Sequence, residues 1–368
     1  MVTAAPHRLD TVEQLLLLTA DQLRLPDSLD QEVREHYEAL TRYLANGQLG
    51  GFSPSLYPQG SYRLATVVKP LTADEFDLDF VVELQMTSNA SPDAVFEAVA
   101  TEIKANGRYG GMVHRKEQCI RIAYSSQFHM DVVPAIPDME SGRTFILIPR
   151  KVGSSRLWQK TNPKGYASWF EEKSVALAEK RAAIEPLPPQ ISASTLQVVV
   201  QLLKRNHHVC VPDEGLRTPS IALTTMAAEA CGYSATVKSA MASLILSAQA
   251  HAESFKPIYN PSNPGEVLNR KWYHEQRAYD VYRTHTEMLA RSWNELTAAE
   301  DEGAGVDVLV SILGKMFDER PVQRAAKALG EHMGRLSQEG RLKTMSGGAL
   351  TLSVAGEGNP RKTFYGDD

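Results

Sequence analysis

Between Gln59 and Leu84 the chain reads QGSYRLATVVKPLTADEFDLDFVVEL. Its second half alternates acidic and apolar residues and then turns wholly apolar, which predicts a strand. Residues two apart on a strand share a face. Asp77 and Asp79 therefore aim two carboxylates at one spot, while Leu78 and Phe80 point to the opposite side. Carboxylates held side by side repel each other unless a cation lies between them. Oxygen-seeking Mg²⁺ is the usual cation, and it commonly bridges protein carboxylates to substrate phosphates. The Gly60-Ser61 pair upstream offers what phosphates need: a backbone that can approach closely, outward N–H groups and a hydroxyl.

A third carboxylate follows in FHMDVVPAIP, where Asp131 interrupts a run that otherwise reads as a core strand. An unpaired carboxylate there is costly, so it needs a cation or a partner. His129 falls on the same face. A hydrogen bond or simple packing suits it better than ligation of an ion that prefers oxygen.

Gly60-Ser61 followed by Asp77-X-Asp79 and a later Asp131 resembles the nucleotidyltransferase motif of the DNA polymerase β superfamily. The wording QGSYRLATVVKPL, EFDLDFVVEL and VVPAIP is similar to that of the bacterial cGAS/DncV-like nucleotidyltransferases (CD-NTases). Those enzymes make cyclic oligonucleotide signals in CBASS anti-phage defence. The resemblance runs from Gln59 to Trp272 and implies an α/β (α+β) fold. That fold is a bilobal polymerase β-like core with a mixed β-sheet, joined to a C-terminal helical domain of the oligoadenylate-synthase type. The resemblance also implies that Asp77, Asp79 and Asp131 are catalytic and hold two Mg²⁺ ions, for which Mn²⁺ can substitute. Gly60, Ser61, Lys204 and Ser220 would then contact the triphosphate of the nucleotide, with Arg63 as a further phosphate contact. Lys204 sits near the end of one predicted helix and Ser220 at the start of the next, the positions that serve this role in the family.

Around this stretch the chain predicts mostly helix. Asp10 with Glu13, and Ser28 with Gln31, read as capping boxes opening two helices. The second carries the stripe Leu29, Val33, Tyr37, Leu40 and Leu44, and Gly47, Gly50 and Gly51 end it. The resemblance implies that it is the long spine helix that joins the two lobes in the family; a plain amphipathic core helix would carry the same stripe. A helix over Pro92–Ala105, strands over 119–124, 127–136 and 143–148, and a helix over 165–180 follow. The Pro-rich stretch EPLPPQ at 185–190 is the expected domain boundary. The expected divisions are residues 1–50, 51–185, 186–345 and a loose Gly-rich tail at 346–368. IYNPSNPGEVLNRKW reads as a rigid turn pinned by Pro257, Pro261 and Pro264 that leads into a helix with Trp272.

Composition bounds the function. With 368 residues, 43% hydrophobic and 23% charged, the chain is an ordinary globular protein. The formal charge of −5 argues against broad electrostatic binding to duplex nucleic acid. A local cluster, Arg143, Arg150, Lys151, Arg156, Lys160 and Lys164, could face a triphosphate, a nucleic-acid strand or only solvent. Cys119, Cys210 and Cys231 are too scattered for a disulfide framework or a zinc site, which fits a reducing cytoplasm. No apolar run is long enough to span a membrane.

The expected reaction is attack of a ribose hydroxyl on the α-phosphate of an NTP, ATP or GTP, with release of pyrophosphate. The resemblance implies a cyclic di- or trinucleotide product, with a cyclic dinucleotide containing adenine and guanine preferred, and the chain is expected to be a monomer. A linear template-independent polymerase shares the three carboxylates, and a non-catalytic nucleotide-binding scaffold is the remaining alternative. The resemblance further implies an accessory regulatory or conjugating partner acting at the C-terminal tail.

Overall fold

The computed structural model describes residues 10–47, 49, 51–71, 76–86, 89–124, 128–181, 194–232, 234–340, 342–344 and 350–352. Compactness divides the chain into Leu23–Arg291 and a smaller unit of Met1–Gln22 with Ser292–Asp368. Helix α1 (Thr11–Gln22) belongs to the smaller unit, and the larger one opens with α2 (Asp27–Asn46). Then come β1 (Pro54–Pro58), the single turn α3 (Gly60–Arg63), β2 (Phe76–Leu84) and α4 (Pro92–Ala105). Strands β3 (Val113–Arg115), β4 (Ile120–Ala123), β5 (Phe128–Pro137), β6 (Ile146–Val152) and β7 (Ser155–Thr161) complete the sheet. Helices α5 (Pro163–Arg181), α6 (Thr195–Cys210), α7 (Ser220–Ala230) and α8 (Val237–Ser254) follow. The hairpin of β8 (Tyr259–Asn260) and β9 (Asn263–Val267) precedes α9 (Lys271–His274) and α10 (Gln276–Asp301). Helices α11 (Val306–Phe317) and α12 (Glu319–Gln338), then β10 (Leu342–Thr344) and β11 (Leu350–Leu352), close the described chain.

The main sheet has the order β1-β2-β5-β4-β3, with β6 paired to the end of β5 and β7 to β6. Strands β2 and β5 run parallel, and their neighbours pair antiparallel. Alternation does what the sequence predicts. Leu78, Phe80, Val82 and Leu84 enter one buried cluster with Ile120, Ile122, Met130 and Val132. Helices α2 and α4 cover that face with Val33, Leu40, Leu44, Val95, Phe96, Val99 and Ile103. On the other face Val81, Val133, Ala135, Ile146 and Ile148 form a smaller cluster, and the Asp77–Asp79 end of β2 stays polar.

In the smaller unit α1 packs against α11 and α12, and Asp10 caps α1 by accepting from Glu13 N–H at 2.8 Å. The expected cap at Ser28 does not form. Helix α2 starts two residues earlier, at Asp27, with Pro26 in the cap position and no side-chain cap bond. Pro26 has an extended backbone that leads into the helix, and Asp27 and Asp30 place negative charge at its N-terminal end. The strand expected at 143–148 is shifted to 146–152, because Gly142, at φ +118°, makes a turn in which Phe145 N–H donates to Gly142 O. The stretch 185–190 lies outside the described residues, as do 353–368 of the tail. Leu350–Leu352 of that tail pairs with Leu342–Thr344, so this part is strand rather than loose chain. Among the described residues, no helix is long and apolar enough to cross a membrane.

Candidate active site

The registers of three strands assemble the site. Asp79 on β2 lies opposite Asp131 on β5, which lies opposite Arg121 on β4. In the next row Asp77 is paired with His129. Directly paired residues share a face, so all five side chains stand on the polar side of the sheet. Asp77, His129 and Asp131 each offer a ligand atom within 4.8 Å of the others'.

The Gly60-Ser61 turn is fixed against this row. Gln59 N–H donates to Asp79 O at 2.9 Å, and Gly60 follows at φ +64°. A Cβ on Gly60 would stand 2.5 Å from Asp79 Oδ2. Only glycine supplies both the left-handed backbone and the close approach.

Electrostatics separate the carboxylates. Burial pushes Asp79 up to about 7, and the charges of Asp77 and Asp131 add to this. Burial also acts to raise Asp77, but the His129 contact and the charges of His129 and Arg121 outweigh it and hold Asp77 below the ordinary carboxylate value. His129 Nε2 lies against Asp77 Oδ1. Arg121 forks onto Asp131, Nε to Oδ1 at 2.8 Å and Nη2 to Oδ2 at 2.7 Å, and Nη2 also reaches Asp77 Oδ1 at 3.3 Å.

Beside the row opens a cavity of about 680 Å³. Gly60, Ser61, Arg63, Asp77, Asp79, Lys204 and Ser220 all line it, so seven of the eight sequence-predicted site residues meet around one space. The eighth, Asp131, is joined to the row by its register with Asp79. Lys204 is buried, its ammonium donating to Thr66 O and Oγ1, both at 3.1 Å. Burial lowers it to about 8, against the opposing pull of Asp79. Arg63 is ion-paired with Glu171 of α5 at 2.5 Å. Ser220 is the first residue of α7 and is exposed to the cavity.

Sequence reasoning missed several contributors. Arg121 is a charged residue between two buried isoleucines on a strand, the same signal that marks Asp131. Helix α6 carries a second set. Gln197 Nε2 donates to Leu64 O at 3.0 Å, Gln201 Nε2 to Val67 O at 3.2 Å and Arg205 Nη2 to Lys69 O at 2.5 Å. With Lys204 they satisfy the carbonyls of Leu64, Thr66, Val67 and Lys69, which no strand pairs. Behind them His207 Nε2 accepts from Thr218 N–H at 3.0 Å, so its proton is on Nδ1, facing His285 Nδ1 at 3.4 Å. His285 Nε2 then donates to Asn206 Oδ1 at 2.7 Å. This buried chain fixes the turn that leads to Ser220.

The basic cluster at 143–164 disperses into local partners. Arg156 lies over the Phe96 ring at 3.4 Å from its centroid, Lys160 pairs with Asp138 at 3.1 Å and Lys164 with Glu83 at 2.9 Å. The 257–272 stretch is a hairpin. Its Ser262 and Asn162 exchange hydrogen bonds at 2.9 and 3.1 Å, which braces the turn into α5 at the cavity rim.

Residues 10–174 match the family described as the Second Messenger Oligonucleotide or Dinucleotide Synthetase domain (SMODS). A protein of Roseivirga ehrenbergii named c-di-GMP synthase is 26% identical over 97% of this chain and 97% of its own length. Cyclic dinucleotide synthase CdnG of Bradyrhizobium diazoefficiens is 28% identical over 94% of this chain and 90% of its own. The solved structure of that CD-NTase CdnG in complex with GTP superposes with a TM-score of 0.70 at 24% identity, covering 87% of this chain and 100% of that one.

Proposed function

Since this chain is a CD-NTase, a nucleotidyltransferase of the cGAS/DncV type with the polymerase β-like fold, we propose that it joins two NTPs into a cyclic dinucleotide, releasing pyrophosphate in a Mg²⁺-dependent reaction. The observation that carries this is the row Asp79–Asp131 with Asp77 beside it, at the edge of a cavity that Ser61, Lys204 and Ser220 also line.

The residues suit a divalent metal. Asp77, Asp79 and Asp131 supply carboxylate oxygens, and His129 Nε2 already serves Asp77. A cation, the Arg121 guanidinium, sits between Asp131 and Asp77, which marks that spot as favourable to positive charge. Bound there, Mg²⁺ would lower the pKa of the acceptor hydroxyl and offset charge on the α-phosphate and the leaving pyrophosphate.

The chain's own groups do the rest. Asp77, Asp79 and Asp131 hold the metal site, with Asp79 loaded as the carboxylate. The Gly60-Ser61 turn brings backbone N–H groups and a hydroxyl to the phosphates. Lys204 places a positive charge at the cavity wall, and the N-terminus of α7 at Ser220 favours an anion. Arg63 joins them if it exchanges Glu171 for phosphate. GTP and ATP are the proposed substrates, which solved relatives in complex with GTP and with ATP support. Full-length similarity to a c-di-GMP synthase supports guanine in the product, and the adenine- and guanine-containing dinucleotide remains within the proposal. The function belongs to cytoplasmic CBASS signalling, with a partner acting on the C-terminal tail.

The test is mass spectrometry of the products from all four NTPs with Mg²⁺, before and after phosphatase. A phosphatase-resistant dinucleotide of ring mass is expected. Only linear, phosphatase-sensitive products would place the chain among the linear polymerases, and no product at all would leave the scaffold reading.

A further inference from the structure

Arg121 is the one cation that touches two of the candidate metal carboxylates among the described ion pairs. Its fork takes both oxygens of Asp131 and shares Oδ1 of Asp77 with His129. One lone pair on each Asp131 oxygen therefore accepts a hydrogen bond from the guanidinium and is closed to a divalent ion, while the second pair on each oxygen stays open. The two cations compete rather than strictly exclude each other, because they share the inner lone pairs and repel across the same few ångströms. Arg121 is placed for an exchange. Its side chain is 27% exposed, so it has a path to solvent and to the cavity, whereas a fully buried arginine would have to pay its own desolvation in any second position.

We propose that Arg121 is a built-in counter-cation that competes with the divalent metal for Asp131 and Asp77, so that metal loading is coupled to nucleotide binding. Without nucleotide the fork offsets part of the row's negative charge and holds Asp131 and Asp77 in place. A triphosphate brings several negative charges to the cavity, which attract the metal and give the released guanidinium a new anionic partner. Arg121 is a positioning residue in this scheme. The inference rests on the metal-site reading above.

The experiment uses the full chain and Mn²⁺, read by the electron paramagnetic resonance signal of the free ion, with melting temperatures in EDTA and in Mn²⁺. The wild-type protein with a non-hydrolysable GTP analogue is the control. If it binds no Mn²⁺, the metal-site reading fails independently of Arg121. With that control positive, Arg121→Gln is expected to bind Mn²⁺ about tenfold tighter than wild type in the absence of nucleotide. It should also gain less affinity when the analogue is added. Its melting temperature should fall in EDTA and recover with Mn²⁺, because the ion replaces the missing charge. Arg121→Lys keeps the charge without the fork and is expected to fall between the two. It carries the test if Arg121→Gln does not fold. Equal or weaker Mn²⁺ binding by the variants, or a melting temperature lowered equally with and without Mn²⁺, would overturn the proposal and leave Arg121 a purely structural residue.

Discussion

Asp79 carries the heaviest electrostatic load of the site. It faces the carboxylates of Asp77 and Asp131 from a half-buried position, and its pKa stands near 7 against an ordinary 3.8. A carboxyl raised in the folded state favours the fold while protonated. That contribution is full below about pH 4 and is lost as pH rises through about 7. Replacing Asp77 and Asp79 together by Asn should abolish product formation and leave the fold intact. In EDTA the melting temperature of this variant relative to wild type should climb between those pH values and then level off. A variant that keeps near wild-type synthesis would refute the metal assignment. Gly60 tests the same geometry from the other side. Gly60→Ala forces a left-handed backbone on a residue with a Cβ and drives that Cβ onto Asp79 Oδ2. We expect a stability loss of about 1–2 kcal/mol and a fall in kcat on the order of 10²-fold. Melting and steady-state kinetics check both, and an unchanged kcat would show that Asp79 does not need its present position.

At the scale of elements, α6 is the organiser. Its interior is buried along nearly the whole length, yet Gln201, Lys204, Arg205, Asn206 and His207 are among the buried residues. One set of these side chains donates to the carbonyls of Thr66, Val67 and Lys69, and the other anchors Thr218 through the His207–His285–Asn206 chain. Two segments of the cavity wall are thus held by one helix. Burial lowers His285 to about 4, and it also holds His207 far below the usual imidazole value, helped by the nearby His285, His208 and Arg217. A histidine kept neutral in the fold protonates first in the unfolded chain. Stability is therefore present above pH 6.5 and is lost as pH falls toward 4, by about 3 kcal/mol for His285. His285→Gln can still accept from His207 and donate to Asn206, so it should flatten this acid limb while costing little at neutral pH. Chemical denaturation at a series of pH values measures it, and an unchanged acid slope would show that the pair does not control acid stability.

At the scale of the molecule, compactness cuts the chain at 22/23 and 291/292. The segments 51–185 and 186–345, separated in sequence by the Pro-rich stretch, both contribute to the larger unit, because α5, α6 and α7 pack on one another. All the residues placed at the cavity come from this unit. Deleting Thr363–Asp368 should accordingly leave synthesis by the purified protein unchanged while impairing function in cells that hold its native operon. Loss of synthesis by the purified truncation would show that the tail supports catalysis.

The sequence alone determined the strand that carries Asp77 and Asp79, the core face opposite them, the glycine turn and the third carboxylate. Those depend on two-residue alternation and on the cost of a charge in an apolar strand, both of which are local. Its local signals also placed the first cap at Asp10, though not the second, since Pro26 set the start of α2 before Ser28 could cap it. What only the tertiary structure decided was pairing. The register that sets Arg121 beside Asp131, the hold of α6 on residues 64–69 and the meeting of His207 with His285 join residues 10, 138 and 78 positions apart for Arg121–Asp131, Lys204–Thr66 and His207–His285. Neither alternation nor composition reports such distances, because a hydrogen-bond partner is selected by packing and not by neighbours in the chain.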